Sequence, residues 1–131
     1  MRFMIIRRAD KSTEAGVRPS KKLLAAMTRY HEEGARAGIV LDGVGLHPSS
    51  KGTRVTIAGG KPTVTDGPFT ETKELVAGFT MIEVKSKEEA IAWVKGWPRE
   101  DGDVELEIRQ LFDPEEIAAL VQDSGGRTEQ P

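Results

Sequence analysis

Asp66 and His47 are the two side chains of this 131-residue sequence best placed to move a proton, since each stands beside residues that stiffen the chain. Asp66 opens the stretch Asp66-Gly67-Pro68-Phe69-Thr70-Glu71-Thr72-Lys73-Glu74, in which Pro68 fixes its own φ, Gly67 tolerates a tight backbone and Phe69 supplies an apolar anchor. A carboxylate held beside such a turn can act as a general base or anchor a polar ligand. The competing reading is that it only accepts hydrogen bonds from the turn's own amides. His47, next to Pro48 and Ser49 at a strand end, is the better acid/base histidine. His31 has Tyr30 and Glu32 as neighbours in a helical stretch and reads as a surface or boundary residue.

Around Asp66 and His47, Arg54 and Lys73 supply cations that favour a carboxylate or similar anion, Glu71 and Glu74 complete a charged rim, and Phe69 walls a cleft. Ser49 lacks the strand-to-helix turn of a catalytic nucleophile and reads as a turn hydroxyl within reach of a ligand. Against this stands a plain solvated face, with ion pairs worth about 0–1 kcal/mol. The pocket is expected where the 47–49 loop meets the Asp66 stretch.

Composition narrows the classes. A formal net charge of -2 and a pI near 5.8 give no overall field to hold nucleic acid, so no direct nucleic-acid binding is expected. Without cysteine there is no thiolate nucleophile, disulfide or cysteine zinc site, and two unclustered histidines do not have metal-ligand spacing. Gly59-Gly60 lacks the Lys-Ser/Thr sequel of a phosphate loop. Neither a metal nor a cofactor is therefore expected. The opening apolar run, Phe3 to Ile6, is too short for a signal peptide or a membrane span, which makes a cytoplasmic protein without membrane contact the expectation.

These residues need a scaffold, and the patterning predicts one α+β domain over residues 1–123 with a mobile tail over 124–131. Phe3 to Ile6 reads as a strand, and a polar loop follows from Asp10 to Arg18. A helix then runs from Pro19 to about Gly38, its stripe formed by Leu23, Met27, Tyr30 and Gly34. Ile39 to Leu46 reads as a bulged strand and Arg54 to Thr65 as a hairpin turning at Gly59-Gly60. Val76 to Val84 is a strand, Ser86-Lys87-Glu88-Glu89 a capping box opening a helix that stops before Pro98, Val104 to Gln110 a strand, and Asp113-Pro114 the start of a last short helix. Trp93 and Trp97, four apart, read as packing residues of the core or of a dimer edge. Helices then cover one face of an antiparallel sheet, and a second copy of the sheet is the simplest cover for the other.

The Asp66 to Glu74 motif, with Gly45-Leu46-His47-Pro48-Ser49 and Gly60-Lys61-Pro62 before it, resembles the DGPF branch of the YCII-related family over Met1 to Phe112. The resemblance implies a ferredoxin-like βαββαβ unit with an inserted hairpin, pairing as a homodimer into a dimeric α+β barrel. His47 stands where relatives often carry Gln. Some relatives are linked to breakdown of chlorinated aromatics, the better-known branch to a His and Asp site, and DGPF members to transcription initiation through neighbouring sigma-factor genes. Two functions follow: a cofactor-free lyase or isomerase acting on a small polar or anionic molecule through Asp66 and His47, or a non-catalytic ligand-binding module associated with transcription.

Overall fold

The computed structural model describes residues 1–123. Its strands are β1 (Arg2–Arg8), β2 (Val40–Gly45), β3 (Thr53–Ala58), β4 (Lys61–Asp66), β5 (Val76–Glu83) and β6 (Leu106–Gln110). The helices are α1 (Lys11–Glu14), α2 (Lys21–Arg36), α3 (Lys87–Val94) and α4 (Pro114–Asp123). Four strands form one sheet in the order β2-β5-β1-β6 with every neighbour antiparallel, while β3 and β4 pair only with each other. With that hairpin set aside, the chain runs βαββαβ in the ferredoxin-like order, as the patterning and the resemblance both anticipated.

Period two explains the layering. Phe3, Ile5 and Arg7 face one way from β1, opposite Ile82, Thr80 and Gly78 of β5. Phe3, Ile5 and Ile82 are fully buried and join Val84 and Ala90 in a core closed by Val40, Trp93, Val94 and Ile108. Each large side chain removed from water there is worth about 1.5–3 kcal/mol. Met4, Ile6, Phe79 and Met81 point the other way and are only half-buried.

Local chemistry places the helices over the first face. Ser20 caps α2 by accepting from the Leu23 amide at 3.0 Å, one residue after the proline expected to open the helix. Gly34 lets α2 lie against β2, since a Cβ there would sit 2.5 Å from Val40 Cγ2. Ser86 caps α3, but the carboxylate of Glu89 reaches back to the Lys85 amide at 2.9 Å rather than to Ser86. The segment expected to be plain loop contains α1, whose four residues are too few to show a period. A reciprocal cap between Asp10 and Thr13 holds it, at 2.9 and 2.8 Å.

The hairpin turns at Gly59 and Gly60, both at positive φ, as a two-residue turn between right-twisted strands requires. β2 slips register between Val40 and Asp42, the expected bulge. Among the described residues no helix is long and apolar enough to cross a membrane. The expected tail at 124–131 lies outside the described residues.

Candidate functional site

Between α2 and the segment that follows β1 lies a cleft of about 880 Å³ on the helix-facing side of the sheet. Its floor is β2 and β5, where Gly43 pairs with Thr80 and Gly45 with Gly78. Leu24, Met27 and His31 of α2 form one wall, Asp10 and Thr13 the opposite one, and Trp97 and Asp101 close the end.

His31 is held at both ring nitrogens. Nδ1 lies 2.9 Å from the Met27 carbonyl and Nε2 2.8 Å from the Thr80 hydroxyl. A carbonyl only accepts, so Nδ1 carries the proton and Nε2 of the neutral ring accepts from Thr80. Thr80 is 2% exposed, so this hydrogen bond at the cleft floor is shielded from water. The rings of Tyr30, Trp93 and Trp97 stand edge-on to the imidazole and fix its plane. Burial pushes the Tyr30 phenol well above its ordinary range, so it stays protonated and donates to the Trp93 carbonyl.

Arg7 and Asp101 build the polar end. Nε and Nη2 of Arg7 donate to the two Asp101 oxygens at 3.1 and 2.9 Å, and the Trp97 indole donates to the same carboxylate at 2.9 Å. Nη1 of Arg7 donates to Asp10 at 3.0 Å and to the Arg8 carbonyl at 2.8 Å. Burial pulls the Arg7 pKa down, but its pairing with Asp101 and Asp10 outweighs that, so the net shift is upward and the charge permanent. The Thr13 amide, helped by Arg7, holds the Asp10 carboxyl below the usual carboxylate range.

The residues singled out from the sequence gather elsewhere. The 47–52 loop and the Asp66 stretch do meet, with the Gly67 amide donating to the Gly52 carbonyl at 2.9 Å and the Phe69 amide to the Ser49 hydroxyl. Asp66 is exposed and accepts from the Thr53 hydroxyl at 3.0 Å, clamping the base of the hairpin. Ser49 donates to Glu14 through both its amide (3.0 Å) and its hydroxyl (2.5 Å), and its oxygen accepts from the Phe69 amide at 3.0 Å. Arg54 stacks its guanidinium 3.8 Å above the Phe69 ring. His47, Glu71, Lys73 and Glu74 are exposed, and the Lys73 carbonyl takes a hydrogen bond from Arg8. None of these eight side chains lines the 880 Å³ cleft. Ser49 touches it only through Glu14, which ends the helix that carries Ser12 and Thr13 of its wall. His31, Thr80, Arg7 and Asp101, which do line it, were not singled out as site residues from the sequence. Among the described residues no group of three or more His, Asp or Glu is placed to hold a metal ion.

An antiparallel sheet of this order, with two helices over one face, an outlying hairpin and a cleft under the longer helix, defines a ferredoxin-like α+β fold. The chain belongs to the YCII-related family, whose domain model matches residues 1–112. An uncharacterised protein of Rhizobium meliloti (strain 1021) is 30% identical over 97 residues, 72% of this chain and 76% of that protein. Among solved structures, 5-chloro-2-hydroxyhydroquinone dehydrochlorinase (TftG) from Burkholderia phenoliruptrix AC1100, in complex with 2,5-dihydroxybenzoquinone, aligns with a TM-score of 0.50. It is 18% identical, with 88% of this chain and 97% of that one covered, and shares the fold.

Proposed function

We propose that the cleft beneath α2 binds a small organic molecule and that His31, with Thr80 as relay, moves a proton on it, making this a cofactor-free lyase- or isomerase-type enzyme. The observation that carries the reading is the His31–Thr80 hydrogen bond at 2.8 Å inside an 880 Å³ cleft. Its tautomer leaves Nε2 as the base, which takes the Thr80 hydroxyl proton as the Thr80 oxygen takes one from the ligand. A neighbour of the same fold that is named a dehydrochlorinase and holds a small organic ligand supports the class of reaction. In this reading Asp66 is a hairpin clamp and the motif it opens is a support for the cleft.

A thermal-shift screen of small organic acids, amides and amines tests it, since a ligand of the folded state raises the melting temperature by mass action. His31→Ala is expected to keep its fold, lose the response to the compound that stabilises wild type, and lower turnover of that compound by roughly 10²–10⁴-fold. Asp66→Ala is expected to keep both. The opposite pattern would return the site to the motif.

The protein also pairs with a second copy through the helix-free face of the sheet. Met4, Ile6, Phe79 and Met81 are left half-buried there, and packing against a partner sheet removes them from water. Sedimentation at micromolar concentration is expected to give twice the chain mass of 14.3 kDa, and Met81→Lys to give a folded monomer. Wild type sedimenting as a monomer would sink this proposal.

A further inference from the structure

Charge in the cleft runs against the anionic substrate that Arg54 and Lys73 pointed to, because both of those cations lie outside its lining. The cations that do line it are Arg7 and Arg18. Arg7 is unavailable to an incoming anion. Four of its five N–H groups already donate within the protein, two of them to Asp101 and one to Asp10, and its side chain is 12% exposed. Asp10 and Asp101 are thereby matched against it in part. Arg18 is exposed and shares the lining with the carboxylates of Glu32, Glu100 and Asp103. An anion entering here gives up its water and finds one exposed guanidinium among carboxylates that outnumber it, whereas a neutral or positively charged group meets a lining of net negative charge.

The floor supplies the shape. Gly45 and Gly78 face each other across β2 and β5, so over the width of two strands the sheet presents backbone alone to the cleft. The space above Gly45 is open, since a Cβ built there meets nothing within 4 Å. Gly78 adjoins Arg7 across the next strand pair, which places this bare strip beside the polar end. Leu23, Leu24 and Met27 give the strip an apolar wall.

Resting on the cleft reading above, we propose that the occupant is an uncharged or cationic organic molecule with an apolar body seated over Gly45 and Gly78 and a polar end turned toward the exposed carboxylates of Glu100 and Asp103. Anions of the same shape are rejected.

Three compounds on one ring test this: cyclohexylmethylamine, cyclohexanecarboxamide and cyclohexanecarboxylate, with dissociation constants from ligand-observed NMR titrations of the full chain. The amine and the amide are expected to bind at least tenfold tighter than the carboxylate. Raising the salt concentration should shrink the advantage of the amine, because exposed carboxylates are screened. Gly45→Val fills the open space with a residue suited to a strand and should cost both compounds at least tenfold in affinity with the melting temperature unchanged. Gly45→Ala, a smaller intrusion, keeps the test open should valine disturb the strand. A carboxylate that binds as well as the amide overturns the charge assignment, and full affinity in both Gly45 variants overturns the placement. If none of the three binds while the wider screen still yields a compound that needs His31, the ligand class is wrong and the cleft stands. If no compound depends on His31, the cleft reading itself falls.

Discussion

Asp101→Ala is expected to cost about 3–5 kcal/mol of stability, measured by urea unfolding, because it strands a charge that cannot be neutralised. The Arg7 and Asp101 side chains are only 12% and 11% exposed, and Asp101 accepts from both Arg7 nitrogens and from the Trp97 indole. Its removal leaves a permanent guanidinium with Asp10 alone and an indole N–H without its acceptor. The pair itself adds less than its breaking costs. Replacing both members, Arg7→Met with Asp101→Leu, is therefore expected to be clearly milder than the single change. A loss under about 1 kcal/mol for Asp101→Ala would mean that the pair behaves as an exposed one.

Gly67→Ala is expected to be nearly as damaging, for a steric reason. A Cβ on Gly67 would lie 1.8 Å from the Ser49 carbonyl oxygen and 2.7 Å from its carbon. Both are backbone atoms, and Gly67 is itself tied to Gly52 by a 2.9 Å hydrogen bond, so neither side can yield cheaply. Forcing a methyl into such a contact costs about 1–3 kcal/mol in ordinary cores, and this contact lies at the upper end or beyond. Gly45→Ala is the control, with no atom within 4 Å of the new methyl and a change expected to stay within about 0.5 kcal/mol. Similar losses from the two substitutions would show that the close approach at Gly67 is relieved by movement.

The contrast between these glycines shows how far the sequence could be read. The strands, the long helices, the hairpin and the bulge in β2 follow from periods and turn residues, which are local signals. The motif at Asp66 drew attention because glycine, proline and alternating charges are conspicuous. Conspicuous backbone chemistry also marks a tight structure, and here the amides of Gly67 and Phe69 are bound by the 47–52 loop. The cleft residues had weaker but real signals. His31 is four residues after Met27 and seven after Leu24, so it continues an apolar stripe down α2. Arg7 continues the alternation of Phe3 and Ile5 by one step and so belongs to the covered face rather than to a polar boundary. Its partner Asp101 is 94 residues away, and no local pattern joins them. The extra helix α1 was missed because four residues carry no period.

If ligand chemistry resides in the cleft beneath α2 and the Asp66 motif serves as structure, a bound compound perturbs the first and leaves the second alone. Backbone and side-chain chemical-shift mapping with the first stabilising compound tests this most directly, and it is favoured by a chain with two histidines and two tryptophans. Perturbations are expected at His31, Thr80, Gly45 and Trp97, with the signals of His47, Asp66 and Phe69 unmoved. Perturbations centred on His47, Asp66 and Phe69, with His31 and Trp97 silent, would contradict it.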